Sequence, residues 1–212
     1  KKNKFNFTSF ILRGSDQKFM TFLKDLPELP NTSDEINRIG KKFKNKKILL
    51  RDQASELNIV NKNNSSKFII FATHALMPNE LGRGSLPGLV LTLPDDANDD
   101  FDGLMTTSEI INTNFTSELI ILSACNTAAG DVGNTNSLSG LTKSFFFSGA
   151  KNIIASHWSV ETFSAEKTTT NLFNQSNENY SDRLRYSKLD LIKKNPTSHP
   201  FFWAPFIFIG TN

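Results

Sequence analysis

Short apolar runs recur along the chain with polar or helical material between them. They fall at 46–50 (KKILL), 67–73 (KFIIFAT), 88–93 (GLVLTL), 118–124 (ELIILSA), 151–158 (KNIIASHW) and 204–210 (APFIFIG). None alternates apolar with polar residues, so each predicts a strand buried on both faces. Between the runs, helical spacing predicts helices over Ser33–Phe43, Ser139–Ser148, Ser164–Gln175 and Asp182–Lys194, the first opened by the capping sequence TSDE and the last halted before Pro196. Strands alternating with helices predict an α/β fold, a three-layer sandwich with a mostly parallel central sheet and helices on both faces.

Two reactive side chains stand where apolar runs end. The run 67–73 leads directly into His74, and 118–124 leads directly into Cys125. In an open parallel sheet, ligands and catalytic groups gather beyond the carboxyl ends of the strands. Neighbouring parallel strands would therefore bring imidazole and thiol to one edge. A lone cysteine or histidine is most often packing. Here both are followed by small residues, HA and CNTAAG, which leave a nucleophile an open approach. A thiol titrates near roughly 8.5 and attacks as the thiolate; an adjacent imidazole lowers that value and can later protonate a leaving amine. Cys125 follows His74 by 51 positions, 125 less 74, close to the caspase spacing of about 50, although the caspase pentapeptide is absent.

Composition narrows the field. With 212 residues and 38% hydrophobic content, the chain can form one substantial core. The 24 basic and 21 acidic residues leave a net charge of only +3, dispersed along the chain, so no nucleic-acid partner is expected. The dense run Lys41–Lys47 (KKFKNKK) reads as the solvated end of a helix. One cysteine allows no internal disulfide, and no window nears the ~18 apolar residues of a membrane span, so a cytoplasmic protein without membrane contact is expected. No Cys/His/Asp spacing resembles a metal site, and 82–88 (GRGSLPG) lacks the lysine and helix of a phosphate loop; neither metal nor cofactor is expected. The start KKNKFNF, without methionine, reads as a piece of a longer chain.

The chain resembles the CHAT domain, the caspase-like module of bacterial proteins that often carry tetratricopeptide repeats and a relative of caspases, separase and gingipains. The resemblance rests on LPELPNTSDEI, RDQASE, FATHA around His74, DGLMTTSEI (Asp102–Ile110), LSACNTAAG around Cys125, GLTKSFFFSGAKNIIASHWSVE (Gly140–Glu161) and HPFFWAPFIFIG (His199–Gly210). It implies a single domain over 1–212, with 1–25 as an upstream connection and 26–210 as the core. It further implies a cysteine endopeptidase acting on protein or peptide substrates, with His74 and Cys125 as the dyad and the main-chain N–H groups of Ala75 and Cys125 as the oxyanion hole. Regulation by an upstream helical-repeat region or a regulatory protein is part of the same implication.

In relatives that cut after basic residues, an acid near the end of the strand after the nucleophile's helix reads the substrate cation. Glu161 matches that position here. Trp158 beside it offers a flat face for an Arg or Lys stem, Asp95 and Asp102 are alternative acids, and His157 ends the same run. Ser159 and Glu161-Thr162 stand where the family commonly has proline and paired aspartates, which bears on substrate choice rather than on the chemistry. The rival readings are a non-catalytic caspase-like signalling module and another hydrolase or acyltransferase using the same thiol.

Overall fold

Apolar runs without alternation need cover on both sides, and the chain supplies it by layering helices over a sheet. The computed structural model describes residues 17–29, 31–60, 66–76, 85–94, 101–123, 136–158, 160–174 and 179–211. In chain order these hold α1 (Gln17–Lys24), α2 (Thr32–Gly40), a 3-10 turn (Arg51–Gln53), α3 (Glu56–Val60), β1 (Phe68–Phe71), β2 (Ala75–Leu76), β3 (Gly88–Val90), β4 (Leu104–Thr106), α4 (Thr107–Asn112), β5 (Leu119–Leu122), α5 (Asn136–Phe147), β6 (Asn152–Ser156), α6 (Thr162–Leu172), α7 (Tyr180–Ile192), α8 (Pro200–Trp203) and β7 (Phe206–Gly210).

The main sheet has the order β1-β5-β6-β7. β1, β5 and β6 are mutually parallel, and β7 closes the edge antiparallel to β6. Every residue of β5 is buried because its two faces serve two cores. Ile120 and Leu122 face a cluster that includes Phe71, Phe115, Leu141, Phe145 and Ile153, under α4 and α5. Leu119 and Ile121 face the opposite cluster with Ile154, Ala165, Leu172, Leu184 and Phe206, under α6 and α7. α2 packs against α6 on that second face. Each fully buried Leu or Ile contributes roughly 1.5–3 kcal/mol, and β5 holds four. Rings of Phe71, Phe115 and Phe145 meet with centroids 5.3–6.1 Å apart and lock α5 onto the sheet.

Two of the predicted strands take other forms. Residues 88–93 contribute three residues to a small antiparallel sheet, β2-β3-β4, rather than joining the parallel one. β3 is buried as fully as β5 and β6 of the main sheet, so periodicity alone does not separate the two sheets. Residues 46–50 belong to no strand, although Leu50 has extended dihedrals. A groove of about 840 Å³ separates this segment from the outer edge of β1, with Ile48, Leu50, Phe68, Ile70 and Thr73 among its walls. A ladder needs a neighbour within about 4.8 Å, and among the described residues 46–50 has none.

The small sheet is anchored by a buried carboxyl group. Glu56, on α3, is 2% exposed and accepts a 2.6 Å hydrogen bond from the N–H of Gly103. Gly103 has φ +86, and a Cβ there would lie 3.1 Å from the Cα of Leu93, so the turn into β4 needs glycine. Burial pushes Glu56 up to about 7 from 4.5; the Gly103 N–H works against this, and the carboxylate of Asp102 adds to it. A raised carboxyl value means the folded state holds a proton that the unfolded state gives up. The stabilisation from Glu56 is complete below pH 4.5 and is lost as pH rises through 7. Glu56→Gln, which keeps the acceptor and cannot ionise, is expected to flatten that part of the profile. Relative to the parent chain, its stability should gain on the order of 2–3 kcal/mol between pH 4.5 and pH 8. Chemical denaturation across that range checks it, and parallel curves for the two proteins would contradict it.

Candidate functional site

His74 follows β1 by three residues and is 7% exposed. Its main-chain carbonyl accepts from the N–H of Val90 at 2.9 Å, while the hydroxyl of Thr73 donates to the carbonyl of Val90. The His74 carbonyl and the side chain of the preceding Thr73 are thus both fastened to Val90 of β3. The ring has its own tether, with Nε2 2.7 Å from the carbonyl oxygen of Pro27. A carbonyl can only accept, so Nε2 carries the proton and, in a neutral imidazole, Nδ1 is the basic nitrogen. Pro27 was not among the sequence candidates. Its signal was the LPELP block before α2, which carries chemistry through a main-chain atom and not a side chain.

Ala75 opens β2 and is paired with Leu89. The Val90 to His74 bond makes the preceding pair the hydrogen-bonded one. By the alternation of an antiparallel ladder, the N–H of Ala75 is turned away from β3, along the outer edge of the small sheet.

β5 lies beside β1 in parallel register, with Phe68 opposite Leu119 and Phe71 opposite Leu122. The ladder extends one step beyond the strand, where Ser123 donates its N–H to the carbonyl of Phe71 at 2.8 Å. Cys125 lies outside the described residues, as does Asp95. The side chain of Ser123, two positions before Cys125, donates to Glu35 Oε1 at 2.5 Å.

The remaining candidates follow β6 or border β4. β6 runs parallel to β5, so its carboxyl end shares the sheet edge of His74. His157 is exposed there and gives its N–H to the carbonyl of Pro205 at 3.0 Å. Trp158, 36% exposed, donates Nε1 to the carbonyl of Phe201 at 3.3 Å. Glu161 is the N-cap of α6, its carboxylate accepting from the N–H groups of Phe163 (2.9 Å) and Ser164 (3.1 Å). It is exposed, with a ready-made structural task. Asp102 has a different position from the one a substrate-reading acid needs. It is 1% exposed, and its Oδ1 accepts from the N–H of Leu104 at 2.9 Å, within the turn that Glu56 anchors.

Among the described residues, no group of three or more His, Cys, Asp or Glu side chains is arranged to hold a metal ion, and no helix is long and apolar enough to cross a membrane.

Comparison with curated proteins gives no match. The family model of the CHAT domain matches residues 7–211, nearly the whole chain, and the mixed α/β fold with its mostly parallel sheet is the caspase-like fold of that family. The family is a caspase-like, peptidase-related one associated with tetratricopeptide-type repeat regions. On that match this chain belongs to the CHAT-domain family.

Proposed function

We propose that the chain is a cysteine endopeptidase in which His74 and Cys125 form the catalytic dyad. One observation carries the reading: the β1–β5 register. Its offset is 51 positions, 119 less 68, the same as the separation of His74 from Cys125. If that offset continued past the described pairs, the two residues would come to equivalent levels beyond adjacent strand ends, the arrangement a nucleophile and its base require.

In this reading, Nδ1 of His74 takes the thiol proton and the Cys125 thiolate adds to the scissile carbonyl carbon. The oxyanion is met by the N–H groups of Ala75 and Cys125, the first of which points out of its ladder. Collapse of the tetrahedral species breaks the C–N bond as His74 returns the proton to the departing amine. Water then adds to the thioester with His74 again as base, releasing the acid and the free thiol. The Pro27 carbonyl stabilises the imidazolium through Nε2–H in both steps.

Cys125→Ala is expected to abolish cleavage of a proteome-derived peptide library while the melting temperature is unchanged, and His74→Ala to lower kcat/KM by roughly 10²–10⁴. Cleavage by the Cys125→Ala chain would assign the nucleophile elsewhere. A parent chain that neither cleaves peptides nor reacts with a peptidyl chloromethyl ketone faster than glutathione does would be a non-catalytic interaction module. The same assay on the chain joined to a helical-repeat region reads whether such a region governs activity.

For the residue before the scissile bond we propose Lys or Arg. Glu161 and Asp102 are the described acids considered for that pocket, and only Glu161 is exposed. Its carboxylate would serve substrate and helix together, with Trp158 lining the approach. Glu161→Gln is expected to lose about tenfold or more in kcat/KM on Arg and Lys substrates, and at most ~1 kcal/mol of stability from the weaker cap. Preferred cleavage after Asp or a large apolar residue would sink the assignment. An unchanged kcat/KM with only the stability lost would leave Glu161 as a cap alone.

A further inference from the structure

Beneath the exit of β5 lies a carboxyl group that the proposed chemistry does not use. Glu35, in the first turn of α2, is 1% exposed. A buried carboxyl is costly unless its oxygens are engaged, and both partners of Oε1 are hydroxyls from other elements. Ser123 Oγ donates at 2.5 Å from the residue after β5, and Thr169 Oγ1 lies at 2.9 Å from α6. Glu166, one turn from Thr169 and near Glu35, is paired with Arg38 of α2 at 2.5 Å, which fixes α2 against α6 beside the contact. Burial pushes the Glu35 carboxyl up, the two hydroxyls oppose that, and Glu166 adds to it.

Ser123 is also held by the β1 ladder, through its N–H to Phe71, and is the last of the described residues to be so held. Beyond it only Ala124 precedes the sole cysteine. The hydroxyl of Ser123 is therefore a second fixed point at the exit, besides the ladder bond. We propose that Glu35 is a positioning residue for Cys125, gripping Ser123 and so setting the direction in which the nucleophile segment leaves the sheet. The carboxylate touches no substrate in this role. Its catalytic relevance rests on the dyad proposed above.

Because the chain has one cysteine, alkylation by iodoacetamide reports on Cys125 without background, whether or not the chain cleaves peptides. The parent chain, Glu35→Leu, Glu35→Gln, Ser123→Ala and the Glu35→Leu/Ser123→Ala double variant are compared by alkylation rate against pH, and by kinact and KI with a peptidyl chloromethyl ketone. Ser123→Ala and Glu35→Leu should each lower kinact about tenfold, leave KI within about twofold, and move the alkylation midpoint towards the roughly 8.5 of an isolated thiol. The double variant should fall no further than the worse single one, since both remove one contact. Glu35→Gln, which retains an acceptor oxygen, should stay within about threefold of the parent.

Unchanged kinact and alkylation in Ser123→Ala, or effects that multiply in the double variant, would overturn the proposal while leaving the peptidase reading intact. Should Glu35→Leu fail to fold, Ser123→Ala and Glu35→Gln still decide. If the parent chain neither cleaves nor shows a lowered midpoint, the peptidase reading fails; an altered alkylation rate in Ser123→Ala with recovery in Glu35→Gln would then support the positioning role, and an unaltered rate would end it.

Discussion

The parallel pairing of β1 with β5 is the constraint on which the rest of the molecule turns. Parallel strands cannot be joined by a tight hairpin, so nearly fifty residues separate Phe71 from Leu119, and the chain uses them to build the small antiparallel sheet and α4. That excursion stiffens the site it leaves. β3 returns to take the carbonyl of His74 and, through Val90, the hydroxyl of Thr73. The central strand then needs cover on both faces, which fixes α5 and α4 to one side and α6 and α7 to the other.

Pro27 and Glu35 together brace the sheet edge. At one end a main-chain carbonyl orients the His74 ring; at the other a buried carboxyl grips Ser123. Both contacts run to the exits of the paired strands, and the brace is held down where α2 meets α6 through Arg38 and Glu166. Folding gains little from taking a carboxyl group out of water, and the two hydroxyls around Glu35 offset only part of the cost. Such a group earns its place by specifying geometry: an apolar residue there would fill the volume but would leave the Ser123 hydroxyl without its acceptor.

The layered α/β class, the parallel core strands and the four longer helices were legible in the sequence because long apolar runs and helical spacing are local signals. α2, α5, α6 and α7 lie within a few residues of their predicted spans. The fate of 46–50 and 88–93 was not legible, since a buried apolar run carries no mark of which sheet, or whether any, will pair with it. At the site, His74 stood out through its side chain and its place after an apolar run. Pro27 acts through a main-chain carbonyl that only the LPELP block hints at, and Glu35 through a contact 88 positions away that no local spacing marks. Asp102 was an alternative pocket acid by its place in the loop after 88–93; its turn is tucked under α3, where Glu56 meets it.

In the proposed role, Glu161 would meet a structural and a chemical demand with the same atoms. A carboxylate at the start of α6 accepts two orphan N–H groups at the positive end of the helix dipole, and the two bonds hold it in one orientation. A pocket acid for a cationic side chain needs that same fixed orientation. The helix bonds direct the carboxylate and offset the entropy of fixing it before a substrate arrives, as pre-organisation requires. An aspartate would reach the cap but project less far from the chain, and a glutamine would reach both partners without the charge.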